Sequence, residues 1–249
     1  MADCWWTSLY DDHVADVLLE RTSPADVERT ADFLVAELEL GLGSTALDQC
    51  CGTGRIAWAL AKRGVAVLGV DIVPSYVRRA LRREVTLPNG LSFEPADAFV
   101  YRAIPCRDAA FNWWTSFGYA AADDDNLRML ARARESIGPG GRYALDFMNV
   151  PGIYRNFRPR VVTEAGGVTL VRDSTIDLDA NVMHKAWTFT LADGRRFVRN
   201  SAVRLYDPAA LRRLFLAAGF DAVRFRGDVD GSPLTLDSPR CIVLGRNPP

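Results

Sequence analysis

Histidine occurs only twice in the 249 residues, as His13 and His184. A three-ligand metal site would have to draw its remaining donors from carboxylates, so no metal is expected. Cysteine is sparse as well: five residues, an odd number, with no Cys-x-x-Cys and no paired Cys/His spacing. This argues against both a disulfide framework and a zinc centre. The neighbours Cys50 and Cys51 read as small buried hydrophobes rather than as a redox pair. No apolar run approaches the ~20 residues of a membrane-spanning helix. No basic, apolar, small-residue leader opens the chain, so a cytoplasmic protein without a membrane partner is expected. Charge of one sign is also missing: Lys and Arg total 30 against 31 Asp and Glu, for a net charge of −1. That removes the electrostatic argument for a nucleic-acid partner.

What the chain does have is apolar residues, 49% of the total, enough for one α/β domain or a domain with an insertion. The stretch Ala46 to Arg55 organises the rest. It runs from an apolar start, Ala-Leu-Asp-Gln-Cys, through Cys51 into Gly52-Thr53-Gly54, and a helical pattern follows from Ile56. A strand, glycine turn and helix in succession aim backbone N–H groups and a helix N-terminus at an anionic or polar ligand. Glycine lets the backbone approach that ligand without a Cβ in the way. A lone Gly-x-Gly is equally well a tight strand-to-helix turn. The pairing with Asp71 carries more weight, because Asp71 ends a second apolar run, Val65 to Val70. An acidic residue there, about 20 residues beyond the turn, is where nucleoside-binding α/β folds hold a ribose diol. The third glycine of a dinucleotide fingerprint falls at Ala57, an allowed substitute, so NAD is not excluded by that position alone.

Asp48, four residues before Gly52, makes the pattern Asp-x-x-x-Gly-x-Gly. That form resembles the first motif of class I S-adenosylmethionine-dependent methyltransferases. Farther on, strand four (Asp108 to Trp114) feeds Thr115-Ser116-Phe117-Gly118-Tyr119, and Pro139-Gly140-Gly141 precedes strand five (Arg142 to Met148). This block resembles small-molecule members, and its Trp-Trp-Thr-Ser-Phe-Gly-Tyr texture is similar to actinobacterial antibiotic-tailoring N-methyltransferases, lincosamide types included. The resemblance implies S-adenosylmethionine as cofactor. It places Asp48 near the methionine ammonium group and Asp71 on the ribose. Asp97 would meet the adenine amino group, with the N–H of Ala98 on a ring nitrogen; the competing reading of Asp97 is a helix cap. Cys50, Gly52, Thr53, Gly54, Ile72 and Trp114 complete the implied cofactor set. The Asn/Asp-Pro-Pro-aromatic signature of amide and base-amino methylation is absent.

The fold expected is therefore α/β: a doubly wound, seven-stranded, Rossmann-like methyltransferase sheet with an inserted antiparallel β-meander lid. Residues 1–45 would form a helical cap, 46–150 and 206–249 the cofactor-binding core, and 151–205 the meander. The cap holds Trp5, Trp6 and Tyr10, which either staple the first helix or close as a flap over the ligand. Helices are expected over Asp12 to Glu20 and Pro24 to Glu39, and a further helix over Asn126 to Ile137. The meander reads as strands Val168 to Val171, Ser174 to Leu178, Val182 to Leu191 and Arg195 to Arg204. It is a substrate lid, a homo-oligomer surface, or both. Phe220 to Phe225 and Cys241 to Gly245 form a closing antiparallel hairpin, which separates methyltransferases from dehydrogenases.

Tyr10, Phe117 and Tyr119 are the candidate residues for positioning a small-molecule acceptor, with the region near His184 or Trp187 as the other place for it. Transfer to an amine nitrogen is the leading expectation. O-methylation of a sugar or phenol, a nicotinamide dehydrogenase, and a non-catalytic nucleoside-binding module are the alternatives.

Overall fold

A computed structural model describes residues 4–84, 86 and 88–249; the first three residues of the expected cap lie outside that set. Elements are numbered in chain order. Strands β1 (Thr45–Gln49), β2 (Ala66–Asp71), β3 (Ser92–Pro95), β4 (Arg107–Asn112) and β5 (Ile137–Phe147) lie parallel in one sheet. Two late strands, β10 (Asp221–Arg226) and β11 (Cys241–Arg246), join it, and β11 runs antiparallel between β5 and β10. The order is β10-β11-β5-β4-β1-β2-β3. The strand order reverses direction between β1 and β4, and the carboxyl ends of β1, β2 and β4 open onto one crevice, the ligand position in doubly wound sheets.

The central strands are apolar because both their faces are covered. Helices α3 (Pro24–Glu37), α4 (Arg55–Ala61) and α5 (Pro74–Leu81) bury one face, and α6 (Asp123–Glu135) with α8 (Pro208–Ala217) buries the other. Local signals fix the helix starts. Ser23 Oγ accepts from Asp26 N at 3.1 Å with Pro24 in the first turn, and Asp207 accepts from Ala210 N at 2.6 Å. Both are side-chain caps for otherwise unpaired N–H groups.

The insertion is a four-stranded antiparallel sheet, β6 (Arg160–Ala165), β7 (Val168–Asp177), β8 (Val182–Thr190) and β9 (Arg196–Arg204), joined to β5 through the short helix α7 (Val150–Arg155). Here the structure corrects the sequence reading. The two strands expected over 168–178 are one, β7, whose alternation runs straight through Arg172-Asp173: Leu170 and Ser174 are buried on the inner face, and Arg172 shares it. The charged pair resembles a break but only occupies successive inward and outward positions. Strand β6 and helix α7 have no counterpart in the sequence reading. Strand β5 begins at Ile137, before Pro139-Gly140-Gly141, because β4 accommodates the irregular stretch by a register shift between Arg107 and Ala109. A Cβ on Gly141 would stand 2.7 Å from the Asp108 carbonyl oxygen, so only glycine lets β5 approach β4 there.

The N-terminal segment also departs from the expected single helix over 12–20. Helix α1 (Trp5–Leu9) is followed by one α turn, α2 (Asp12–Val14), which runs into a π-helical turn, Ala15–Leu19. Such π turns are uncommon and concentrate at functional sites. Leu9, Val14 and Val17 pack against Leu170, Trp187 and Phe189 of the meander in a separate small core. No helix among the described residues is long and apolar enough to cross a membrane.

Candidate active site

A cavity of about 450 Å³ lies between the carboxyl ends of the central strands, the N-terminal segment and the inner face of the meander. Its floor begins at β1. Cys50 sits at φ 65° and Gly52 at φ 55°, so the chain leaving β1 turns sharply. A non-glycine residue in the left-handed region costs on the order of 1–3 kcal/mol and persists only where its surroundings over-determine it. Trp114 and Thr115, at φ 57° and 60°, repeat the situation at the end of β4. Asp146 fixes them: its Oδ2 accepts from Trp114 N at 2.9 Å, its carbonyl accepts from Thr115 N at 3.2 Å, and Arg240 donates to Oδ2 at 2.6 Å. Burial pushes the Asp146 carboxyl up, against the lowering pull of Arg240. No motif in the sequence marks Asp146 or Arg240.

Asp71 stands at the tip of β2 with both carboxylate oxygens engaged. Oδ2 accepts from Gly52 N at 2.8 Å and Oδ1 from Val73 N at 2.9 Å. The carboxylate thus ties the glycine turn to the second strand and keeps further lone pairs for a ligand. Burial pushes its pKa up to about 6, and the two N–H donors resist that shift. Asp97 accepts from Phe99 N at 2.9 Å, the local turn of the cap reading, and it also lines the cavity with Ala98 and Phe99. Cys50, Gly52, Thr53, Ile72 and Trp114 line it too.

Two expected members do not reach the cavity surface. Gly54 (φ 76°) faces inward, where a Cβ would stand 2.7 Å from the Phe93 ring and 2.8 Å from Ala80 Cβ; its smallness serves packing of α4 on the sheet. Asp48 is 3% exposed and does not line the cavity. Burial first, and the Asp71 charge second, push its pKa well up.

The wall is aromatic. Trp5, Trp6 and Tyr10 from the N-terminal segment meet Phe99 and Tyr119 from the core. Trp5 and Tyr119 centroids are 4.7 Å apart, Trp6 and Phe99 5.6 Å, and the Tyr10 and Tyr119 rings stack at 6.0 Å. Their hydroxyls meet at 2.5 Å. Burial pushes the Tyr10 pKa up to about 12 and pushes the Tyr119 phenol well up too. Trp5, Trp6 and Tyr10 thus pack on aromatics of the core and line the cavity. Trp5 Nε1 is buried with no partner among the described residues, a donor left for a ligand.

The expectation for Phe117 is corrected. It is 0% exposed, packs against Phe147 and Tyr206 at 6.0 and 5.7 Å, and takes no part in the cavity. The turn at Gly118 (φ 80°) sends Phe117 into the core and Tyr119 out to the cavity. Of the meander pair, Trp187 lines the cavity, whereas His184 points outward and is exposed. Arg172, Lys185 and Ser201 face inward beside Trp187. Sequence reading misses these three, although the period-two alternation of β7, β8 and β9 could have found them.

The cap is tied down from both sides. Arg55, at the start of α4, donates to Leu19 O at 2.7 Å and to Thr22 O. Tyr76 donates to Asp11 O at 2.8 Å, and Arg199 of β9 pairs with Asp11 at 2.6 Å.

The floor fits an adenosyl group. At the tip of β2 Asp71 offers a buried carboxylate with spare lone pairs, Asp97 and apolar Ala98 and Phe99 line the same cavity, and Trp5 Nε1 has no partner among the described residues.

Residues 46–141 match the family model described as a methyltransferase domain. A relative named S-adenosyl-L-methionine-dependent Diels-Alderase, from Talaromyces variabilis, is 36% identical over 124 residues, covering 48% of this chain and 41% of that protein. The methyltransferase GfsG of Streptomyces halstedii is 30% identical over 141 residues, covering 54% of this chain and 49% of its own length. The chain therefore spans about half or less of the curated relatives it matches. Among solved structures, the CcbJ methyltransferase of Streptomyces caelestis superposes with a TM-score of 0.81 at 21% identity, covering 96% of this chain and all of that one.

Proposed function

We propose that this chain, which carries a methyltransferase domain on the fold of S-adenosylmethionine-dependent enzymes, methylates an amine nitrogen of a small molecule in secondary-metabolite tailoring. The observation that carries the reading is one cavity with the adenosine-type floor of Asp71 and Asp97 and the aromatic wall of Trp5, Trp6, Tyr10 and Tyr119. The likeness to a solved sugar N-methyltransferase of Streptoalloteichus, TM-score 0.70 at 22% identity over 98% of this chain and 97% of that one, supports the choice of nitrogen.

When bound, S-adenosylmethionine supplies a sulfonium-activated methyl group. The chain's own residues do the rest by position. Asp71 accepts from the ribose diol, and Asp97 with the Ala98 N–H reads the adenine edge. The wall excludes water and presents π faces, which favour a cation. Tyr10 and Tyr119 hold the acceptor for in-line attack, where correct alignment can supply several kcal/mol of the barrier, on the order of 7–11 at best. Neither phenol is a base, because both are held above their ordinary range. The acceptor amine must be neutral for attack, its proton passing to water or to a nearby acceptor.

The test is turnover with methyl-labelled cofactor and a panel of small amines, amino sugars and their hydroxyl counterparts. Carbon NMR of the product distinguishes an N-methyl from an O-methyl group; label found only on oxygen removes the nitrogen assignment. A second reading, favoured by the likeness to a Diels-Alderase, keeps the cofactor but omits methyl transfer. It requires cyclised product with no S-adenosylhomocysteine formed.

A further inference from the structure

Three cations occupy the inner face of the meander: Arg172 on β7, Lys185 on β8 and Arg199 on β9. Arg199 is neutralised by Asp11 at 2.6 Å and also donates to Leu9 O at 2.8 Å. Arg172 and Lys185 pair with no carboxylate among the described residues, and both line the cavity. Arg172 reaches only Thr163 Oγ1, at 3.3 Å, and its Nε is buried without a partner. An unpaired cation withdrawn from water is costly, and two side by side are costlier.

The strand register shows how they are set. Arg172 lies opposite Trp187, and Lys185 opposite Ser174 on one side and Ser201 on the other. Arg172 and Lys185 are thus diagonal neighbours across an antiparallel pair, within reach of one another for long side chains. Trp187 stands between them: the Arg172 guanidinium is 5.6 Å and the Lys185 ammonium 6.0 Å from its ring centroid. Its Nε1 donates to Ser201 Oγ at 2.8 Å, so the Ser201 hydroxyl proton remains available to a third party. Four groups converge on one spot: a guanidinium, an ammonium, a hydroxyl donor and an indole face.

The floor opposite carries the reverse sign, with Asp71 and Asp97 facing the same cavity. Burial and the neighbouring Arg172 pull the Lys185 pKa down to about 8; a bound anion raises it again and holds the ammonium charged. Arg21, from the turn after the π-helical segment, adds positive potential at Arg172.

We propose that Arg172, Lys185 and Ser201 form an anion site in the cavity roof, and that the molecule taken up there carries a carboxylate on an apolar or aromatic body. The proposal rests on the reading that the acceptor lies between the cofactor floor and the meander. It does not depend on whether nitrogen or oxygen is methylated, because it is tested by equilibrium binding.

The experiment is calorimetry on the full chain saturated with S-adenosylhomocysteine. The probes are three matched pairs: phenylacetate with phenylacetamide, cinnamate with cinnamamide, and indole-3-acetate with indole-3-acetamide. Charge-assisted hydrogen bonds to a carboxylate make a preference of about tenfold or more over the amide the expected result for at least one pair. Lys185→Met and Arg172→Met should each reduce that preference, and the double variant should abolish it with amide affinity unchanged. Equal binding of acid and amide in every pair, or no binding by any acid, overturns the proposal. So does a second outcome: variants that weaken S-adenosylhomocysteine about tenfold but leave 5′-methylthioadenosine alone, because the two cations would then hold the cofactor's own carboxylate. Should the double variant fail to fold, Lys185→Gln alone gives the same comparison. Methyl transfer to oxygen, or none at all, would defeat the functional reading above and leave these affinities as they stand.

Discussion

Tyr10 Oη and Tyr119 Oη meet at 2.5 Å across 109 residues of sequence, with their rings stacked 19° from parallel. One phenol belongs to the N-terminal segment and the other to the loop after β4, so this contact closes the wall of the cavity. It also removes one mechanism: burial pushes Tyr10 up to about 12 and Tyr119 well above the ordinary phenol range, so neither is poised as a base.

The first prediction follows from that pair. Tyr10→Phe and Tyr119→Phe keep the rings and delete the hydroxyl contact. Methyl transfer should fall by roughly ten- to a hundredfold, the scale of a small misplacement of reacting groups. Melting temperature and cofactor affinity should change little. The pH profile of the remaining activity should keep its shape, since no phenolate is involved. A profile that loses a basic limb in either variant would reinstate tyrosine as a base.

Asp71 yields a pH prediction. Its folded-state pKa of about 6 lies above the ~3.9 of an unfolded aspartate. Between those values the folded state binds more protons, so this group's contribution to stability falls as pH rises through the window. Cofactor affinity should run the opposite way, because the ionised carboxylate is the better acceptor for a ribose diol. Titration calorimetry should show tighter S-adenosylmethionine binding as pH rises through about 6 and a plateau above it. Asp71→Asn is the control. It should flatten the profile and weaken binding by about tenfold to a hundredfold at neutral pH. Equal affinity for both proteins would remove Asp71 from the site.

Much of this molecule is legible in the residues, and the reasons it is not wholly so are specific. Val65 to Val70 followed by Asp71 can hardly be anything but a buried parallel strand with a charged tip, and the glycine turn before it sets the connection. The closing hairpin is legible too, because Gly219 starts a short run that the turn at 227–231 ends, and the apolar run Cys241 to Gly245 follows as β11. Phe117 is misplaced by sequence reasoning because loop position does not set side-chain direction; the left-handed Gly118 does, and it reverses the roles of its two neighbours. Arg172, Lys185 and Asp146 are hidden for a different reason. Their meaning comes from what lies across a strand pair or at the end of a distant loop, and Arg240 is 94 residues from its partner Asp146.

The two glycines of the turn should separate cleanly. Gly54→Ala places a methyl 2.7 Å from Phe93 at a φ of 76°. Overpacking and left-handed backbone each cost on the order of 1–3 kcal/mol, so a lowered melting temperature is expected. Gly52→Val meets only Leu19 Cδ1, at 3.5 Å, and projects on the cavity side. It carries the backbone cost but should chiefly abolish cofactor binding. Calorimetry and thermal melts on both variants read the contrast, and cofactor binding retained by Gly52→Val would make this turn merely structural.

Phe117→Ala should behave as a core truncation. The ring is fully buried between Phe147 and Tyr206, and such a deletion costs about 3–5 kcal/mol. Denaturant unfolding should show that loss, with turnover per folded molecule near wild type. Unchanged stability with lost turnover would restore Phe117 to the acceptor site.

The last prediction concerns the hold on the cap. Arg55 begins the helix after the glycine turn, yet its guanidinium donates to the carbonyls of Leu19 and Thr22, on the segment that carries Leu18 and Leu19 to the cavity. The same residue therefore links the cofactor turn to the part of the chain that covers it. In Arg55→Ala two carbonyls lose a charged donor, each contact worth about 1.5–3 kcal/mol. The loss should fall on the cap rather than on the sheet, whose core packs without Arg55. Limited proteolysis should cut within residues 4–22 faster in the variant, and stopped-flow should show faster cofactor release with the association rate little changed. Bound cofactor should slow the cleavage, since it refills the cavity under the cap. Equal cleavage of variant and wild type would mean that Tyr76 and Arg199, gripping Asp11 from the other side, hold the segment on their own.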